Sequence, residues 1–252
     1  MRNILIVGAT RGLGHSLATQ YAKDGKTVYA TARYSHTQTI TSGINWMANI
    51  DITRQGCARS ISAHWQEETE ADLVVICAGY FASETSSGLD YDKEVAMYKT
   101  NAIGPLFLIK GLVETGIVKK NSRVVLVGGE SGSIGLRHEV EGAGNYGGHA
   151  SKAALNMVAK LLSLELKPLG IAVAVVHTGY LRKQNRDGFF ESGDRNAVKP
   201  DEAAKSLKDW IETFDMGKTG QFWAVRGAAD IKTAAAVLGP SETLSSPLEL
   251  PW

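Results

Sequence analysis

A short apolar run, Asn3–Val7, passes directly into Gly8-Ala9-Thr10-Arg11-Gly12-Leu13-Gly14 and then into a helical pattern over residues 11–24. This strand–glycine turn–helix unit constrains the fold more than any other feature. Glycines at such a turn let the backbone bend sharply and let a helix pack close to the strand it leaves. The pattern then repeats. Apolar runs at residues 27–32, 46–51, 72–78, Arg123–Val127, 171–176 and 221–225 alternate with helical patterns at 54–67, 91–112, 151–166 and 200–214. The run Leu73-Val74-Val75-Ile76 is continuously apolar, as strands covered on both faces are. Pro168 and Gly170 end the 151–166 helix, and Pro200 with Asp201 and Glu202 opens the next. Strands alternating with helices predict an α/β Rossmann-like fold, a doubly wound seven-stranded parallel sheet. No linker divides the 252 residues, so a single domain is expected over 1–252, with a C-terminal extension from about residue 226.

Composition narrows the function classes. The 27 basic and 26 acidic residues leave a net charge of +1, which argues against a nucleic-acid partner. A hydrophobic fraction of 44% supports a packed core. Only Cys57 and Cys77 are present, so a disulfide scaffold is excluded and a reducing compartment is favoured. The apolar run after Arg2 is too short for a signal peptide, and no stretch reaches the ~20 apolar residues of a membrane span. The expectation is a cytoplasmic protein with no membrane partner and no metal.

The turn's spacing is G-x-x-x-G-x-G. Its glycines and the free N–H groups of the following helix suit a dinucleotide pyrophosphate, with Gly8, Thr10, Arg11, Gly12, Leu13 and Gly14 as the contacting residues. A strand-end acid that would accept the 2′-hydroxyl of NAD is missing after Thr31-Ala32-Arg33. Arg33 and Arg11 instead match a 2′-phosphate, which points to NADP(H).

These residues resemble the short-chain dehydrogenase/reductase family, and the resemblance runs from residue 3 to the end. Asp51-Ile52 sits where the family meets the adenine. Cys77-Ala78-Gly79 resembles the tail of the family's Asn-Asn-Ala-Gly turn, with Ile76 and Cys77 in place of the asparagines. Asn101 matches the family's helix asparagine, and Ser151-Lys152-Ala153-Ala154-Leu155-Asn156 matches the helix bearing its active-site lysine. Val176-His177-Thr178-Gly179-Tyr180 and the terminal Leu250-Pro251-Trp252 are similar to the C-factor and Sniffer-like carbonyl reductase branch. The resemblance implies nucleotide contacts from Asp51, Ile52, Ala78, Gly79, Asn101, Lys152, Gly179 and Leu181. It also implies a small-molecule substrate and a homodimer or homotetramer, built through the helices near residues 101–112 and 151–166.

The chemical end departs from that pattern. Family chemistry needs a tyrosine four residues before the lysine, on the same helix face. Gly148 stands there, and Tyr146 is turned about 120° away. Alignment on Gly132-Ser133-Ile134 places Gly128-Gly129 at the family's serine pair. Lys183, within Leu181-Arg182-Lys183-Gln184, replaces the threonine that meets the nicotinamide amide, and Thr178 replaces a proline. A general acid contributes ~10²–10⁴ in rate and an oxyanion donor ~10²–10³, so the ordinary reaction would be nearly extinguished.

Candidate substitutes are Ser131, two residues from the lost serine, and His149, three before Lys152. Glu130, His138 and Tyr146 lie in or beside the same loop, while Cys77 reads as packing. The catalytic set is therefore Lys152, Asn101, Ser131, His149 and Tyr146. Two glycines for larger residues predict a phenol-sized space above Gly148, filled by substrate or by collapse of residues 136–145. Tyr80, Phe81, Tyr180, Phe189 and Phe190 lie on loops at strand carboxyl ends and suit an apolar, aromatic ligand. Three functions stay open: an oxidoreductase of small-molecule or specialised metabolism with a rebuilt proton path, a non-redox cyclase or isomerase, and a non-catalytic NADP(H)-binding protein.

Overall fold

The computed structural model describes residues 1–34, 42–66, 69–84, 88–182 and 197–252. Among the described residues, eight strands form one sheet: β1 Asn3–Val7, β2 Thr27–Thr31, β3 Ile44–Met47, β4 Leu73–Ile76, β5 Arg123–Val127, β6 Ala172–His177, β7 Phe222–Ala224 and β8 Leu248–Leu250. Their order is β3-β2-β1-β4-β5-β6-β7-β8. The first seven pair in parallel, and β8 runs antiparallel to β7. The sheet thus has eight strands rather than the seven expected. The extra strand is three residues of the C-terminal extension on a sheet edge, too short to register as a periodic run.

Alternate residues of each central strand enter opposite cores. Leu5, Val7, Val74, Ile76, Val124 and Leu126 join one cluster, together with Leu108 and Leu112 of α4 (Gly104–Glu114) and Leu155, Ala159 and Leu162 of α5 (Tyr146–Leu166). Ile4, Ile6, Leu73, Val75 and Val125 join the other, with Leu13 and Leu17 of α1 (Gly12–Lys23) and Leu207 and Ile211 of α6 (Pro200–Glu212). Both faces of a parallel sheet are covered, so its strands need no polar side. Strand order reverses between β1 and β4, which opens the crevice where α/β sheets take ligands.

Three boundaries shift. The third strand ends at Met47 because Asn49 takes a positive φ of 59°. The second helix is only Cys57–Ser62. The 91–112 pattern is two helices, Tyr91–Tyr98 (α3) and α4, joined by a π-helical turn over Lys99–Ile103 that contains Asn101. Among the described residues, no helix is long and apolar enough to cross a membrane.

Candidate active site

The glycine turn closes on itself. A Cβ on Gly14 would lie 2.3 Å from the Gly8 carbonyl oxygen, and one on Gly8 would lie 2.7 Å from the Ala78 backbone. Both positions are held to glycine by backbone packing. Gly12 differs: its φ is 57°, and nothing lies within 4 Å of its Cβ position. That side of the turn is open. α1 starts there without a side-chain cap, so its positive end faces the crevice. Thr10 lies in this turn, while the Leu13 side chain is buried in the core, leaving its backbone at the turn.

Arg11 and Arg33 are exposed beside it, and the Arg33 guanidinium lies over the Tyr34 ring, 5.6 Å from its centroid. Asp51 accepts hydrogen bonds from the Thr53 N–H (2.9 Å) and hydroxyl (2.8 Å). Burial would push its carboxyl up, but those bonds and the charges of Arg33 and Arg54 hold it below the usual range. Ile52 is buried against the core. A helix start without a side-chain cap, a glycine turn with room at Gly12 and two exposed guanidinium groups fit a phosphorylated dinucleotide.

At the other end of the crevice, the π turn delivers Asn101 inward. Its Oδ1 accepts the Tyr80 N–H (2.8 Å), and its Nδ2 donates to the Tyr80 carbonyl (2.8 Å) and to Ser151 Oγ (2.9 Å). Lys152 Nζ donates to the Val127 carbonyl at 3.0 Å. A Cβ on Gly79 would sit 3.4 Å from Asn101 Oδ1 and 3.7 Å from Lys152 Nζ, so these three predicted residues do meet. Burial lowers the Lys152 ammonium from 10.5 to about 8, and burial pushes the neighbouring Cys77 thiol up to about 12. Cys77 is thus a neutral packing thiol.

A charged Lys152 costs folding stability at neutral pH. An unfolded lysine holds its proton between about 8 and 10.5 while the folded one does not, so stability contributed by this group rises with pH across that window. Lys152→Met is accordingly expected to be more stable than the native chain at pH 7, with the gap closing between pH 8 and 10.5. Urea titrations along that series check it.

The loops after β5 bring together another part of the predicted set. Glu130–Gly132 forms a tight turn, and Ser131 Oγ lies 3.1 Å from where a Cβ on Gly129 would be. Arg137 stitches this loop: it donates to Glu130 Oε2 (2.5 Å), Glu141 Oε2 (2.5 Å) and the Ser133 carbonyl (3.1 Å). His149 Nδ1 lies 2.9 Å from the Asn145 carbonyl, which accepts only, so the neutral ring carries its proton on Nδ1. His149 Nε2 then faces Glu141 Oε1 at 4.0 Å. His138 Nδ1 accepts the nearby Val140 N–H, and Tyr146 stands half-exposed at the start of α5.

α5 begins five residues before the expected start, despite Gly147-Gly148. Glu84 Oε2 accepts the Gly147 N–H at 3.1 Å and replaces the missing cap. A Cβ on Gly147 would meet Glu94 Oε2 at 2.4 Å and Met97 Cε at 2.4 Å. Burial and the neighbouring Glu84 hold the Glu94 carboxyl above its usual range.

The expected space above Gly148 is taken. A Cβ there would lie 2.8 Å from Phe81 Cε2 and 3.1 Å from Cδ2. The position is met by an aromatic ring from the loop after β4, with Asn145 Cβ 3.8 Å away on the side of the 136–145 segment. Phe81 lies on a loop at a strand carboxyl end, and nothing in the sequence marks its partner 67 positions on. Glu84, Arg137 and the partly buried carboxylate Asp230, which meets His177, carried no signal either. Gly179 has a φ of 100°, and Leu181 bridges to Val198. Ala78 donates its N–H to the Val7 carbonyl. Lys183, Gln184, Phe189 and Phe190 lie outside the described residues.

Comparison with known proteins agrees with this architecture. A 1-hydroxy-2-glutathionyl-2-methyl-3-butene dehydrogenase from Rhodococcus sp. (strain AD45) is 27% identical over 223 residues, covering 88% of this chain and 96% of that one. Among solved structures, the carbonyl reductase Sniffer of D. melanogaster superposes with a TM-score of 0.78 at 18% identity, covering 100% of both chains. An NADPH-bound carbonyl reductase from chicken fatty liver gives 0.76 at 19%, covering 89% of this chain and 92% of that one. Residues 2–192 match the short chain dehydrogenase family. The chain therefore belongs to the short-chain dehydrogenases.

Proposed function

We propose that the chain is an NADP(H)-dependent oxidoreductase acting on an apolar small molecule, with Ser131 and His149 serving where Gly129 and Gly148 replace the family's serine and tyrosine. The observation that carries this reading is Ser131 Oγ, 3.1 Å from the Cβ position of Gly129. A hydroxyl is thus returned to the region the lost serine would occupy, from two residues further along.

The residues take distinct parts. Gly8, Thr10, Arg11, Gly12, Leu13 and Gly14 receive the pyrophosphate through backbone groups, and Arg33 takes the 2′-phosphate. Asp51, Ile52, Ala78, Gly79, Gly179 and Leu181 flank the rest of the nucleotide. When bound, the nicotinamide supplies or accepts the hydride. Ser131 donates a hydrogen bond to the substrate oxygen, as an oxyanion donor does. His149, with Nδ1–H held by the Asn145 carbonyl, is left with Nε2 to carry a transferable proton, and Glu141 stands at ion-pair distance when the ring is charged. Lys152 steadies the nucleotide end of the site, and Asn101 positions Tyr80 and α5 through its three hydrogen bonds. Tyr146 lines the mouth. The apolar preference rests on Phe81 and Tyr180, both half or more exposed at strand carboxyl ends.

A second reading, a non-redox cyclase or isomerase, is favoured by one observation: Phe81 covers the helix position from which the family's proton donor would rise. Such an enzyme would turn over substrate with its nucleotide unchanged.

The nucleotide assignment is tested by calorimetry with NADP⁺, NADPH, NAD⁺ and NADH. Both phosphorylated forms are expected to bind more tightly, and Arg33→Ala is expected to lose roughly 1–3 kcal/mol of NADPH binding as a charged hydrogen bond goes. Equal affinities for all four would overturn the preference.

The cytoplasmic setting, the role in specialised metabolism and the reach of one domain across the C-terminal extension belong to the same proposal. So does self-association. Ile103 and Phe107 of the π turn and α4, with Met157, Leu161 and Leu164 of α5, leave large apolar side chains about half or more exposed. Adjacent helices with that much uncovered apolar surface suit a partner copy. Sedimentation at micromolar concentration is expected to give a dimer or tetramer, and a monomer would contradict it.

A further inference from the structure

Residues 226–252 lie beyond the 2–192 segment that matches the family, yet one side chain among them reaches the loop after β6 directly and the loop after β5 through His177. Asp230 Oδ2 accepts the Tyr180 N–H at 2.5 Å and lies 3.2 Å from His177 Nε2. His177 Nδ1 lies 3.2 Å from the Glu130 nitrogen. That backbone N–H only donates, so Nδ1 accepts, and the ring proton sits on Nε2, pointing at Asp230. His177 is 7% exposed, so water does not compete freely for either nitrogen. Gly179, between His177 and Tyr180, turns through a φ of 100°, and a Cβ on it would lie 3.2 Å from the same Asp230 oxygen. Burial would raise the Asp230 carboxyl, but the bonds from His177 and Tyr180 hold it below the usual range, so it is a carboxylate at neutral pH.

We propose that Asp230 is a positioning residue: through His177 it fixes the turn Glu130–Gly132 that carries Ser131, and through Tyr180 it fixes the 177–182 loop at the nicotinamide end of the site. This rests on the reading under Proposed function. The physical argument is one of convergence. Glu130, His177 and Asp230 follow or end β5, β6 and β7, which are neighbours in the sheet. A charge-assisted Asp–His pair, its imidazole buried and its carboxylate partly buried, bridges three adjacent strand ends and holds their loops in one register. The glycine turn and Arg33 leave β1 and β2, on the other side of β4. Loss of Asp230 should therefore disturb the nicotinamide end and spare the adenine end.

That asymmetry gives a test independent of turnover. NADP⁺ and 2′-monophosphoadenosine-5′-diphosphoribose, which lacks the nicotinamide, are titrated into native protein, Asp230→Ala and Asp230→Asn. Asp230→Ala is expected to weaken NADP⁺ about tenfold, with the shortened nucleotide unchanged within about twofold, as a lost charge-assisted hydrogen bond implies. Asp230→Asn, which keeps an acceptor oxygen for Tyr180 and His177, is expected to recover most of the loss. Equal weakening of both nucleotides, or weakening of neither, overturns the positioning role. If Asp230→Ala does not fold, Asp230→Ser, too short to reach His177, is read by the same two outcomes. Failure of the native protein to bind NADP⁺ would instead sink the nucleotide reading, a result separate from any difference between variants.

Discussion

Gly148→Tyr is expected to lower native turnover by roughly 10²-fold rather than to restore an ordinary reductase, because displaced loops misplace reacting groups by about an ångström. The reason is steric and local. Any side chain at 148 begins 2.8 Å from the Phe81 ring, and Phe81 is not free to retreat as a backbone unit. Tyr80 is held at both its N–H and its carbonyl by Asn101, and the Ala82 N–H points at Met97 Sδ. The ring must swing out, and its loop must strain; overpacking of this kind costs about 1–3 kcal/mol. A double-mutant cycle separates this from a general helix effect. Phe81→Ala is expected to relieve most of the stability loss of Gly148→Tyr and, by freeing the loop, part of the loss in native turnover. The combined change Gly129→Ser with Gly148→Tyr is the sharper probe. If it gave family-like reduction of simple aldehydes while native turnover persisted, the site would be an ordinary one lacking two side chains, and the account of a remodelled site would fail.

Ser131→Ala is expected to lower kcat by ~10²–10³ while nucleotide affinity stays unchanged, as removal of an oxyanion donor does. The geometry supplies a rescue. Ser131 Oγ is the atom nearest a Cβ built on Gly129, so its removal makes room for a side chain there. Gly129→Ser in the Ser131→Ala background is therefore expected to regain part of the rate. Steady-state kinetics at saturating nucleotide decides it: a change below about threefold in Ser131→Ala would remove Ser131 from the chemistry.

The scaffold was largely legible in the sequence, and the reasons are local. β1 and β5 fall at the expected residues because buried parallel strands are unbroken apolar runs with polar or glycine ends. The glycine turn was legible because its spacing reports a backbone need, which the contacts of Gly8 and Gly14 bear out. What escaped was set by distant partners. The apolar pattern places the start of α5 at Ser151; the acceptor that lets it start at Tyr146 is Glu84, which takes the N–H of Gly147 from 63 positions earlier. The edge strand β8 owes its place to pairing with β7 and to the Ser133 hydroxyl that donates to the Pro251 carbonyl at 2.7 Å. Glycine at 148 signalled a missing phenol, but the ring that fills the place is identified only by the fold. The Asp230–His177 pair joins residues 53 apart, with nothing periodic to mark either.

The central claim is that this site still moves a hydride, with its proton path rebuilt around Ser131 and His149. The most direct measurement uses NADPH deuterated at the transferring carbon of its nicotinamide, with a panel of apolar aromatic aldehydes and ketones and the native protein. The account predicts one NADPH consumed per alcohol formed, with the deuterium on the former carbonyl carbon. Product formed with NADPH intact and no label, or no NADPH consumption with any member of the panel, would contradict it.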